Sequence, residues 1–348
     1  MIRRRVAGAC LVAAVTLLSD GADPQAQDTS RKPAIRLDPV SVILNAFSSY
    51  PIVALGEGPH GNEQGHAFRL ALLRDPRFAA LVNDIVIESG SARYQDVIDQ
   101  FVGGEDAPEV ALRAARENTV TPTPAWDRLM YEEIFRAVRD VNRSLPPGRR
   151  LRILLGDPPI DWSDIRAPDD YRPWLMRRDS HPAELIQREV LTKGRRALVI
   201  YGDGHFQARS ERPGRSLVGI LETGGTNVFA VTSTFADLSA FQKDVAGWPT
   251  PWLASLKGTS LGAAPYETFF GPPPPVDFFK ANSNIEDHFD AVLVLGTPSS
   301  MRLAPLAYPR CAEPDYMRMR LVRMTLAGMP ATVAERLREE YAKAAPPR

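Results

Sequence analysis

Four short stretches of the sequence place acids and histidines among glycines: Gly56-Glu57-Gly58-Pro59-His60-Gly61, Glu88-Ser89-Gly90, Gly156-Asp157-Pro158 and Gly202-Asp203-Gly204-His205. Glu57 and His60 form a pair with a physical rationale. A carboxylate three residues before an imidazole, in a tight glycine-flanked turn, fixes the ring's tautomer and raises its basicity. Glu88 and His205 are the natural company for that pair. Asp157 and Asp203 read either as helix N-caps or as binding residues of the same site. His66, His181 and His288 lack such surroundings and read as structural. The sequence contains no G-x-S-x-G elbow, no P-loop and no H-E-x-x-H helix, so nothing announces a serine nucleophile, a phosphate cradle or a zinc protease. A hydrolase built on these residues would have to activate water directly, through a histidine base or through a metal. For the metal route, His60 and His205 with Glu57, Glu88 and Asp157 make a nitrogen and oxygen ligand set suited to zinc or manganese.

Each stretch follows a short apolar run. Pro51 to Leu55, Asp84 to Ile87, Leu151 to Leu155, Ala197 to Tyr201, Asn227 to Val231 and Ala291 to Leu295 read as strands apolar enough to be covered on both faces. Between them, Glu63 to Arg74, Arg93 to Val102, Glu109 to Asn118, Trp126 to Ser144 and Pro182 to Lys193 carry apolar residues at helical spacing. This alternation predicts an α/β fold, a central mostly parallel sheet with helices on both faces. In such a sheet, ligands bind outside the carboxyl ends of the strands, where loops and helix N-termini converge. All four polar stretches fall on that edge. A single domain is expected over 33–348, with a helical insertion at about 105–147 long enough to form a lid and a loop-rich segment at about 236–288. Thr332 to Ala344 reads as a closing helix.

Composition narrows the partners. The 42 basic and 42 acidic side chains cancel in a chain of 348 residues, leaving no field for a nucleic acid backbone. A small-molecule substrate is the expected partner, and oligomeric state is not written in the pattern. Arg3, Arg4 and Arg5 precede an apolar run from Val6 to Leu18 that is too short to span a bilayer, which predicts a signal peptide over 1–27 and an exported chain, periplasmic or secreted, off the membrane once cut. Cys10 would leave with it. Cys311 would then be alone, which excludes an internal disulfide.

Gly56 to Gly61 also fits the dinucleotide fingerprint G-x-G-x-x-G. Glu57 would bring negative charge to the pyrophosphate turn, and Pro59 removes an amide hydrogen from it, so that reading is set aside. The stretch Val53 to Glu88 instead resembles the erythromycin-esterase-like family, part of a wider group with haem-uptake proteins and metal-dependent peptidases. Members carry a strand ending in G-E-x-x-H-G, an arginine nine residues after the histidine and a glutamate closing the next strand. Here these are Gly56 to Gly61, Arg69 and Glu88. The family's later histidine-asparagine-x-histidine turn is similar to Gly202-Asp203-Gly204-His205, with Gly202 and Asp203 in place of the first two residues. The resemblance implies a hydrolase of esters or lactones without a cofactor. In it His60 is the base, Glu57 or Glu88 orients it, and Arg69 with His205 stabilises the oxyanion. A metal-dependent hydrolase and a non-catalytic carrier of haem or another small ligand are the alternatives.

Overall fold

A computed structural model describes residues 31–207, 216–270, 283–306 and 313–344. The expected export segment, both cysteines and the run from Pro272 to Pro275 lie outside the described residues. Seven strands form one sheet: β1 (Ile52–Gly56), β2 (Asp84–Ser91), β3 (Arg152–Asp157), β4 (Ala197–Tyr201), β5 (Val228–Phe235), β6 (Trp252–Ser255) and β7 (Ala291–Gly296). Their spatial order is β3-β2-β4-β1-β5-β7-β6. Every pairing is parallel except that of β6 with β7. The fold is therefore α/β, as the alternation of apolar runs predicts.

Successive side chains of a strand point to opposite faces, and here both faces are apolar. Ile52, Ala54, Val86, Val199 and Ala230 pack on one side with the helices Ser180–Glu189 and Leu217–Thr223. Val53, Leu55, Ile85, Ile87, Leu198 and Ile200 pack on the other, against the helices Glu63–Arg74, Gln95–Gly103 and Met130–Arg143. Two buried layers clamp the central strands, so the loops at their carboxyl ends sit on a rigid base.

The insertion departs from the lid expectation. Glu109–Glu117 and Met130–Arg143 belong to the helical layer, with Leu112, Ala115, Ile134, Phe135 and Val138 buried in the core. A helix whose apolar stripe is committed to the sheet cannot swing away as a lid without exposing it. The loop-rich segment holds one strand that periodicity does not announce, β6, only four residues long and at the sheet edge. Among the described residues, no helix is long and apolar enough to cross a membrane.

Candidate active site

The turn after β1 is built by its neighbours. Asn62 caps the helix Glu63–Arg74 by accepting from the Gly65 amide at 2.6 Å, and its own amide group donates to the carbonyls of Glu57 at 2.8 Å and Pro59 at 2.7 Å. Gly58 takes a φ of 66°, a region open to glycine, and donates its N–H to Asp203 Oδ2 at 2.8 Å. Gly61 donates its N–H to the Tyr131 hydroxyl at 2.9 Å. Both amides are thus spent inside the protein, and a pyrophosphate would find neither free.

His60 emerges from this turn with a side chain 39% exposed. Its Nδ1 stands 2.9 Å from Glu57 Oε2, so the carboxylate accepts and Nδ1 carries the hydrogen. The edge of the ring rests on Trp126, with centroids 4.6 Å apart and planes at 73°. Among the described residues, Nε2 has no hydrogen-bond partner. Burial by itself would lower the His60 pKa, but the Glu57 hydrogen bond and the charges of Glu88 and Glu57 outweigh it, and the value lies above the ordinary 6.5.

Glu88, 2% exposed, is the hub of a second group. Its Oε2 accepts from the Gly202 amide at 2.8 Å, while Oε1 accepts from Arg178 and lies 3.3 Å from His205 Nε2. The other ring nitrogen of His205, Nδ1, is 2.7 Å from Asp179 Oδ1. Burial raises the Glu88 pKa, yet His205 and Arg178 pull it well below the usual carboxylate range. Burial likewise lowers His205, but the charges of Glu88 and Asp179 and their hydrogen bonds push it up to about 10. Glycine at 202 permits a close approach, because a Cβ there would stand 3.0 Å from His60 Cε1, which would have to give slightly, and 3.4 Å from Glu88 Oε2, an ordinary contact.

Glu57, His60, Arg69, Glu88 and His205 thus gather at one sheet edge, although they come from three strand connections. Two assignments change. Arg69 is 1% exposed and faces Glu57, with Nη2 3.5 Å from Oε1, and it does not line the cavity. It supports the orienting carboxylate and cannot meet an oxyanion. The guanidinium that lines the cavity is that of Arg178, from a segment in which pattern alone marks only the basic pair Arg177-Arg178 and the acid Asp179 before a helix. Orientation of His60 falls to Glu57, since the oxygens of Glu88 are engaged by Gly202, Arg178 and His205.

Of the two candidate binding acids, Asp203 lines the cavity but commits its oxygens to protein donors, and Asp157 lies off it. Asp203 accepts from Gly58 N–H, from Thr232 Oγ1 at 2.6 Å and from Ser233 N–H at 3.1 Å, fastening the β1 turn to β5. Asp157 is buried off the cavity, accepting from the Val120 N–H at 2.6 Å. Burial drives its pKa up to about 8, opposed by Arg178 and the Val120 hydrogen bond. A raised folded-state value means the fold holds a proton that the unfolded chain releases above about 4. The stabilisation it lends is complete at low pH and is lost as pH climbs through about 8. Asp157→Asn keeps the acceptor and removes the titration, so its melting temperature relative to the parent should rise from about pH 4 to about pH 8 and level off above it. A difference that stays flat over that range would show that Asp157 is ionised in the fold.

The cavity measures about 720 Å³. His60, Arg178 and His205 stand at its base, and Phe235, Tyr266, Phe269 and Phe270 form an aromatic side. The last three belong to the loop-rich segment, whereas no residue between 105 and 147 lines it. His66, His181 and His288 do not line it either. Glu57, His60 and Glu88 bring one ligand-capable atom each to within 4.8 Å of one another. The donor set fits a divalent ion poorly. Both Glu57 oxygens face His60 and Arg69, Glu88 is committed to three donors, and the adjacent guanidinium would repel a dication.

Neither family models nor curated proteins match this chain. Among solved structures it is similar to a protein from Bacillus cereus, with TM-score 0.53 and 10% identity over 79% of this chain and 97% of that one. A succinoglycan biosynthesis protein gives 0.55 and 9% over 76% and 94%, and an erythromycin esterase variant in its open conformation gives 0.49 and 12% over 74% and 93%. The first two show a shared fold, and the relationship is a distant structural one.

Proposed function

We propose that this chain is an exported hydrolase of ester-like bonds, an esterase or lactonase in which His60 activates water. The observation that carries the reading is the His60 ring itself: Nδ1 is held by Glu57 at 2.9 Å, while Nε2, on a side chain that lines the cavity, has no partner among the described residues. A base in that setting takes a proton from water through Nε2. The resulting hydroxide attacks the carbonyl carbon of the substrate, and negative charge develops on the carbonyl oxygen. Arg178 and protonated His205 supply positive charge at the same end of the cavity for that oxygen. Collapse breaks the bond to the alcohol, which leaves with the proton held on His60. Acid and alcohol are the products, and no acyl group is attached to the protein.

The test is a panel of esters and lactones with a small alcohol added as competing acceptor. Direct attack by water yields the acid alone. A share of transferred acyl group that stays constant whatever the leaving alcohol would mean a covalent intermediate, and no turnover on any ester or lactone would remove the reading.

The second expected result concerns metal. Dialysis against a chelator should leave both activity and melting temperature where they were, because the carboxylates at the site are already satisfied by protein donors. Loss of activity that zinc or manganese restores would recast Glu57, His60 and Glu88 as ligands.

A further inference from the structure

Asp179 occupies the N-cap position of the helix Ser180–Glu189, where an aspartate ordinarily accepts from the amides of its own first turn. It makes no such bond. Its Oδ1 accepts instead from His205 Nδ1 at 2.7 Å and from the Leu217 N–H at 2.9 Å, two groups 26 and 38 residues further along the chain. Its side chain is committed to these distant groups and not to its own helix.

The commitment forms a closed arrangement of charge. Arg178 and Asp179 are neighbours in sequence; Arg178 reaches Glu88 and Asp179 reaches His205, while Glu88 and His205 lie 3.3 Å apart. Both ring nitrogens of His205 therefore face carboxylate oxygens, and carboxylates only accept. An imidazole can satisfy two acceptors only when both nitrogens carry hydrogen. We infer that Asp179 is a positioning residue that, with Glu88, holds His205 as an imidazolium at the base of the cavity, so that His205 serves as a fixed cation and never as the base.

The surroundings divide in sign. Burial disfavours the charged ring, as does His60, and the cation Arg178 also lines the cavity; Glu88 and Asp179 favour the charge. Tyr201 packs edge-on at 5.3 Å, and Asp157 interacts with His205 from the end of β3. The two carboxylates in direct contact prevail, and the ring titrates near 10. The division of labour follows: two histidines share one cavity, and among the described residues one has an unpartnered nitrogen and the other has none. The catalytic half of this inference rests on the water-activating reading, but the state of His205 does not.

Asp179→Asn decides the matter, because the amide oxygen still accepts from His205 and Leu217 while the charge is gone. Followed by NMR of its ring protons, His205 should titrate about one to three pH units lower than in the parent protein. Asp179→Glu, which keeps the charge, should hold the value high. A His205 titration unmoved by Asp179→Asn would overturn the assignment. Once a substrate is in hand, the alkaline limb of the kcat/KM profile should move with the NMR value. A shifted ring with an unshifted limb would leave Asp179 as its positioner but remove His205 from the reaction, which separates a failure of the functional reading from a failure of this one.

Discussion

His60→Asn is expected to lower kcat/KM on any ester or lactone turned over by this protein by ~10²–10⁴, the usual contribution of a positioned general base. Asparagine is of similar length and can still bond to Glu57, and the histidine side chain is 39% exposed, so the fold should survive with its melting temperature little changed. The parent profile carries the same information. His60 works only when neutral, and its pKa is raised, so kcat/KM should increase with pH through a value above 6.5. It should fall again as His205 loses its proton near 10. The acidic limb should vanish in the residual activity of His60→Asn. A folded variant that turns over at the parent rate would take His60 out of the mechanism and leave Glu57 orienting a bystander.

What was legible in the sequence follows physical lines. Six strands were visible because burial on both faces leaves almost uninterrupted apolar runs, and the helix Glu63–Arg74 because its apolar residues recur at helical spacing. β6 was not, since four residues at an edge carry too short a signal. The helix Pro314–Leu326 was hidden for a different reason. Its buried face includes Arg320, paired with Asp127, and Arg323, which donates to the Glu117 carbonyl, so the apolar period is broken where the helix is most deeply anchored. At the site, residues that follow strands directly could be placed by the strand-end rule. Arg178 and Asp179 could not, because they approach from a helix N-terminus separated from β3 by a further helix, Pro168–Met176. Their contact with Glu88 and His205 is long-range and leaves no periodicity. Arg69 shows the converse limit: spacing put it beside the pair, but only geometry shows that it faces the back of Glu57 and not the cavity.

Glu88→Gln should be the most damaging single change to stability, at about 3–5 kcal/mol, the usual consequence of breaking a buried ion pair by removing one partner. The substitution preserves volume, so lost packing is not the cause. It leaves the Arg178 guanidinium and the His205 ring as buried cations without their shared counter-charge. It also turns one oxygen of Glu88 into a donor facing donors: the Gly202 N–H on one side, or Arg178 and His205 on the other. The pH dependence separates this account from a loss of shape. Glu88 has its pKa depressed in the fold, so its contribution is present above the ordinary 4.5 and disappears as pH falls through the lower folded value. His205 has its pKa raised, so its contribution is complete below 6.5 and disappears as pH rises through about 10. The gap in unfolding free energy between parent and Glu88→Gln should therefore be widest between 4.5 and 6.5 and narrow on both sides. Denaturant titrations at a series of pH values measure it. A gap that is constant with pH would mean that the variant fails through packing, and the charge arrangement around His205 would then contribute nothing to holding the carboxyl edge of the sheet together.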